Sequence, residues 1–169
     1  RRTAGAWCAL CRASAVALSA AVPDAPPTTI HASAVLVGTR AVLIRGPSGS
    51  GKSRLVLSLL DAAAAGLFQF ARLVADDRVL IDACHGRLLA SPPNALAGLL
   101  EVRGLGLRRV AHETPALIGW VVALAASGAE RLPLQADRTT TIAGVTLPRI
   151  AIHACTDPAP VLVAALRTQ

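Results

Sequence analysis

Tyrosine and methionine are missing from this 169-residue chain, and its aromatic residues are two Phe and two Trp. A hydrophobic content of 53% must therefore be met by Leu, Val, Ile and 35 alanines. The same shortage removes the aromatic platforms on which single-stranded nucleic acid stacks. Lysine is nearly missing as well: 16 of the 17 basic residues are arginine, and Lys52 stands alone. The arginines are scattered, with Arg108-Arg109 the densest pair after the first two positions. A net charge of +7 spread this way lacks the basic stripe of a nucleic-acid-binding protein, and leaves an attraction for phosphates or acidic partners. No apolar run reaches the roughly 18–20 residues that span a bilayer, which argues against a membrane protein. Only 16% of residues are charged and mean hydropathy is +0.54, so the chain also lacks the composition of a disordered protein.

Cysteine is sparse. Cys8, Cys11, Cys84 and Cys155 make no disulfide framework in a chain of this size. Cys8-x-x-Cys11 has metal-ligand spacing, but no second pair follows, and a structural zinc site needs four ligands. Cys84 and Cys155 are expected as small core residues. Arg1-Arg2, an apolar stretch and Ser19-Ala20-Ala21 resemble a secretory leader, yet Arg12 interrupts the apolar part. Residues 1–28 are instead expected as an extension ahead of the domain, closed by the linker of Pro23, Pro26 and Pro27, with the folded unit at 29–169.

Within that unit, Ile30–Val37 and Ala41–Ile44 are β-branched-rich runs around Gly38-Thr39-Arg40, the pattern of a hairpin. Lys52–Ala65 has helical periodicity and stops at Gly66. Leu67–Ala75 is expected as a strand ending at Asp76-Asp77, and Val79–Ala83 with Arg87–Ala90 as a second hairpin. After Pro92-Pro93 a short helical segment is expected to end near Leu100. Leu117–Leu124 is expected as a buried strand, Thr140–Ile142 and Val145–Leu147 as strands flanking Gly144, Ile150–His153 as a short apolar run, and Val161–Arg167 as a final helix. Strand, loop, helix and several hairpins in this order indicate an α/β domain with a mixed sheet.

One segment carries specific chemistry. Gly46-Pro47-Ser48-Gly49-Ser50-Gly51-Lys52-Ser53 fits G-x-x-x-x-G-K-[ST], the phosphate-binding P-loop. Its glycines let the backbone curl until successive N–H groups point at phosphate oxygens, and the following helix adds its positive end. Lys52 supplies a point charge for the β- and γ-phosphates, and the Ser53 hydroxyl suits Mg2+. An apolar strand precedes the motif and a helix follows it, as the motif requires. The sole lysine thus falls where an arginine would substitute poorly. Such a site consumes ATP, which points to the cytoplasm. Asp76-Asp77 comes next. If the strand continued, the two carboxylates would point to opposite faces, one toward a metal and the other toward an incoming hydroxyl as general base. His31, Arg131 and the run Glu101-Val-Arg103-Gly-Leu-Gly106 carry no locally diagnostic motif; the last sets a carboxylate and a guanidinium beside two glycines.

Taken together, the P-loop, Arg72-Leu-Val-Ala-Asp76-Asp77 and Leu100-Glu-Val-Arg-Gly-Leu-Gly106 resemble the C-terminal kinase domain of the HPr kinase/phosphorylase family, over roughly Thr29 to Ile152. The resemblance implies an ATP- and Mg2+-dependent kinase acting on a serine of a small phosphocarrier protein of the HPr type, and a homo-oligomer. It implies that Asp76 deprotonates the acceptor serine, that His31 stands beside that carboxylate, and that Lys52 is the P-loop lysine. Ser53 and Glu101 match the Mg2+ ligands, Asp77 is left for the metal side, Arg103 for the bound nucleotide, and Arg131 resembles the arginine that stabilises the transferring phosphoryl group. The chain departs from the family pattern at Arg54, where an acidic residue is usual. It also departs in Ile152-His-Ala-Cys-Thr-Asp-Pro158, which lacks the Gly-Arg-Asn loop linked to dephosphorylation, so kinase activity is expected without phosphorolysis. Two other readings fit a P-loop: a small-molecule kinase and a non-catalytic ATP sensor.

Overall fold

The computed structural model describes residues 28–126, 129 and 134–168. Residues 1–27 of the expected extension and Arg131 lie outside the described residues, while Thr28, expected as the last residue of that extension, already pairs with Ile81 as the start of β1. In chain order the strands are β1 (Thr28–His31), β2 (Ser33–Val37), β3 (Arg40–Arg45), β4 (Ala71–Ala75), β5 (Arg78–Cys84), β6 (Arg87–Ser91), β7 (Leu99–Val102), β8 (Gly106–Arg109), β9 (Ala116–Leu124), β10 (Thr139–Ile142) and β11 (Val145–Ile152). Helix α1 spans Lys52–Ala64 and α2 spans Pro158–Arg167.

The main sheet runs β1-β5-β6-β9-β3-β2-β4, and β11 with its partner β10 joins it at β9. Pairing is antiparallel except where β9 lies parallel to β3 and to β11, so the sheet is mixed as its sequence indicates. Along one edge β9 pairs with β3; along the other, its first residues meet β6 and its last four meet β11. One continuous segment supplies both β1, which pairs with β5, and β2, which pairs with β3 and β4. Because these lie toward opposite ends of the order, the sheet must curl.

Side-chain alternation divides the core in two. Ala34, Leu43, Val74, Ile81, Leu88 and Ile118 point into the curl. Val35, Val42, Ile44, Leu73 and Val122 point the other way, onto Leu55, Val56 and Leu59 of α1 and Leu162 of α2. Both faces of β2 and β3 are thus buried, which explains why their sequences read as unbroken apolar runs. Seven alanines (32, 34, 41, 75, 83, 90 and 116) belong to the cluster inside the curl, and none is buried in the cluster under the helices. Small side chains let the two arms of the sheet approach; the alanine-rich composition is spent there.

Several expectations need correction. The segment expected to be helical up to Leu100 is a single 3-10 turn at Asn94–Leu96, followed by β7, whose residues pair with β8. The strand expected from Leu67 starts at Ala71, since the chain is still reversing out of α1 at Gly66 (φ 79°). Ile150–Ile152 is no separate run but the end of β11, which leaves β10 at Pro148 and continues beside β9 from Arg149. Cys84 is buried as expected, whereas Cys155 is exposed on the turn before α2. No helix among the described residues is long and apolar enough to cross a membrane.

Candidate active site

Strand β3 ends at Arg45, and residues Gly46–Gly51 turn the chain into α1. Ser50 N–H donates to Pro47 C=O (3.2 Å), and Gly51, at φ 92°, is the N-cap residue. No side chain caps α1 and its first turn has no acidic residue, so the helix's own sequence does not offset its positive end. At Gly46 the loop presses against itself and against the end of β9: a Cβ there would stand 2.7 Å from Ser50 Oγ, 3.0 Å from Leu124 Cβ and 3.1 Å from Leu124 O.

Lys52 is buried at 7% exposure. Its Nζ donates to Gly46 C=O (3.1 Å), Pro47 C=O (3.0 Å) and His31 Nε2 (3.0 Å). All three acceptors are neutral. An ammonium has protons only to give, so Nε2 of His31 accepts and the ring proton sits on Nδ1. Nδ1 lies 3.0 Å from Asp77 C=O and 3.1 Å from Asp77 Oδ1, and donates toward them. A buried cation that has hydrogen bonds but no counter-charge is costly unless an anion arrives.

The two aspartates part company because β4 stops at Ala75. Asp76 remains buried. Its Oδ1 accepts from Ser33 Oγ (2.6 Å) and Ser53 Oγ (2.9 Å), while Oδ2 accepts from the Glu101 amide (3.2 Å). Asp77 adopts φ 64°, a left-handed conformation that Asp tolerates better than most residues. That turn throws its side chain outward, 63% exposed, beside the half-exposed ring of His31. The opposed carboxylates expected of a continuing strand are therefore produced by a turn.

Glu101 and Arg103 arrive on the β7–β8 hairpin, which is fastened beside β4. Leu73 N–H donates to Ala111 C=O, Glu113 N–H to Leu73 C=O, and Val110 N–H to Gly98 C=O. The result is a cleft of about 570 Å3. Its lining includes His31, Ser48, Gly49, Ser50, Gly51, Lys52, Ser53, Asp76, Asp77, Glu101 and Arg103, every one a residue that the sequence singles out. Gly46 and Pro47 contribute the carbonyls that hold Lys52. Ser33, Arg54, Leu57 and Val102 also line it and are additional to that set. Ser33 had one readable signal, a hydroxyl inside an otherwise apolar strand; Arg54 stood out only as a departure from the family pattern, Val102 lies within the Glu101–Gly106 run without a role, and nothing local marks Leu57.

ATP and Mg2+ fit these residues. A Cβ at Gly49 or Gly51 would meet open space, so the loop is unobstructed there, and no described residue gives the buried lysine an anion. Ser53, Asp76 and Glu101 place a hydroxyl and two carboxylate-bearing residues at one end of the cleft, an oxygen-rich donor set suited to a hard cation.

Comparison with known proteins gives a consistent picture. The family model of the HPr Serine kinase C-terminal domain matches residues 24–165. The HPr kinase/phosphorylase of Bordetella pertussis is 37% identical over 141 residues, covering 76% of this chain and 43% of that protein. The HPr kinase/phosphorylase of Clostridium tetani is 42% identical over 95 residues, covering 56% of this chain and 28% of its own length. The matched part is thus less than half of either relative. A solved structure, that of the Hpr(Ser) kinase/phosphatase from Coxiella burnetii, shares the fold with a TM-score of 0.68 at 24% identity, over 83% of this chain and 94% of that one.

Proposed function

The chain belongs to the HPr serine kinase C-terminal domain family, and on that premise we propose that it transfers the γ-phosphoryl group of ATP to a serine of a phosphocarrier protein of the HPr type. The observation that carries this reading is Lys52, a buried ammonium held by two loop carbonyls and a neutral imidazole, with no carboxylate of its own. Triphosphate oxygens would supply the missing charge, received also by the loop amides and the open end of α1. Arg103, on the wall of the cleft, adds a cation for the nucleotide.

In this reading Asp77 takes the serine proton, in place of the Asp76 that the family resemblance implies. Asp76 is already occupied by three donors, and its position against Ser53 suits it to steadying the metal side together with Glu101. Asp77 faces the open cleft. The acceptor hydroxyl oxygen attacks the γ-phosphorus, its proton passes to the Asp77 carboxylate, and the bond to the bridging oxygen breaks to release ADP. His31 fixes the Asp77 carboxylate through Nδ1–H and Lys52 through Nε2, so one ring sets the distance between base and phosphate-binding cation. Mg2+, held by Ser53, Glu101 and the Asp76 side of the cleft, would neutralise phosphate charge. Arg131, outside the described residues, keeps the role of stabilising the transferring group. Activity of this kind belongs in the cytoplasm, where ATP is available.

Incubating the chain with γ-labelled ATP, Mg2+ and a phosphocarrier protein tests the reading. Label on a serine of the carrier is the expected result. Label on a small molecule, or nucleotide binding without transfer, would replace it with one of the other P-loop readings.

A further inference from the structure

The β7–β8 hairpin exposes more than its part in the cleft requires. Leu105 and Leu107 are 60% and 62% exposed, among the most exposed large hydrophobic residues of the described chain. Arg103, Arg108 and Arg109 are their neighbours in the hairpin's sequence. None of the three guanidiniums forms an ion pair with a described residue; Arg108 reaches only the neighbouring Leu107 carbonyl, at 3.5 Å. Glu101 is the one acid between Leu99 and Arg109.

Register sorts these side chains by face. Paired residues project to the same side, so Glu101 lies with Leu107 and Leu99 with Arg109, while Leu100 lies with Arg108. Leu100 is fully buried in the cluster under α1, so its face is the one turned to the body of the protein. The opposite face carries Leu107 and Arg109 beside Glu101. The turn adds Leu105 and Arg103, and there the surface runs into the cleft, whose wall includes Glu101, Val102 and Arg103. Leu105, Leu107 and Arg109 themselves are not among the residues that line the cleft.

We propose that this outward face of the hairpin is the docking surface for the acceptor protein, and that it takes a patch of that protein with an apolar centre and acidic margins next to the acceptor hydroxyl. The proposal rests on the kinase reading above and adds where the protein substrate is held. Two exposed leucines supply the apolar contact, and unpaired arginines on either side select an acidic rim. A second copy of this chain would suit the surface poorly, because like arginines would face one another between two molecules each carrying net charge +7.

The test uses the full chain, ATP, Mg2+ and an HPr-type phosphocarrier protein at varied concentration. R109E and the double substitution L105S/L107S should each raise the KM for the carrier by about tenfold. The Kd for ATP should stay unchanged, and kcat should stay close to its original value. R109K should restore most of the loss, and added salt should raise KM less for R109E than for the unaltered chain. R108E, on the other face, should have a much smaller effect. If the unaltered chain transfers phosphate and R109E and L105S/L107S leave KM alone, docking is elsewhere. An equal rise with R108E would mean diffuse charge attraction, and a changed sedimentation coefficient for the variants would mean self-association; either overturns the proposal. If the unaltered chain labels no carrier at all, the kinase reading falls and this surface assignment falls with it. Should L105S/L107S also lose ATP affinity, R109E decides alone, since it alters one exposed side chain.

Discussion

His31 touches both groups on which the proposed kinase reading depends. Its Nε2 accepts from the Lys52 ammonium and its Nδ1–H faces Asp77, so in that reading the phosphate-binding charge and the proposed base share a positioning residue. The adjacent carboxylates behave differently because of what each touches. Asp77→Asn removes only the proton acceptor, so transfer should fall by about 10²–10⁴-fold while ATP affinity holds. Asp76→Ala leaves Ser33 Oγ, Ser53 Oγ and the Glu101 amide without an acceptor, at about 1–3 kcal/mol for each donor left buried and dry. It should therefore lower the denaturant midpoint, which Asp77→Asn should hardly move. A reversed pattern in paired transfer assays and urea titrations would exchange the two roles.

At the scale of elements, the site depends on a loop, a helix end and a hairpin held by different parts of the sheet. The loop follows β3 and the aspartates follow β4, with β2 between them. The hairpin reaches the aspartates because residues 111–113 bond along Leu73 of β4. Gly46 is the tightest point, where the loop passes Leu124 at the end of β9. A methyl group at Gly46 would meet backbone there, so Gly46→Ala should displace the loop and weaken ATP binding by about tenfold, or ~1.4 kcal/mol, measurable by calorimetry. Unchanged affinity would mean that the loop amides are not the phosphate ligands.

Over the whole molecule, the site is borne by a curled sheet whose inner and outer clusters share β2, β3 and β9. Leu43 is fully buried inside the curl, on the strand that leads into the loop. Leu43→Ala should cost about 2–5 kcal/mol, because the alanines around it cannot expand to fill the space. Thermal unfolding followed by circular dichroism would measure this, and a loss below about 1 kcal/mol would mean that the curl closes over the gap. The excess of arginine acts at this scale too. Spread over the surface it identifies no site, and it acquires meaning only in the proposed docking face, where the β7–β8 hairpin sets Arg103 and Arg109 beside two exposed leucines.

What could be read in the residues alone was whatever depends on neighbours in the chain. The P-loop and the helix after it are legible because a glycine-rich turn, one lysine and a helical period are local demands of the backbone. The hairpins at Gly38 and Gly144 are legible for the same reason, and the mixed sheet follows from their order. The different surroundings of Asp76 and Asp77 were out of reach, because they turn on one left-handed residue and on Ser33, 43 residues away from its acceptor. Strand β7 was misread as helix since its partner lies across a turn and its purpose is to bring the Glu101 amide to Asp76. The face on which Leu107 and Arg109 lie together is likewise a product of register. Local propensity wrote the parts of this site, and only burial and pairing across the curled sheet decided which side chains meet and which remain exposed.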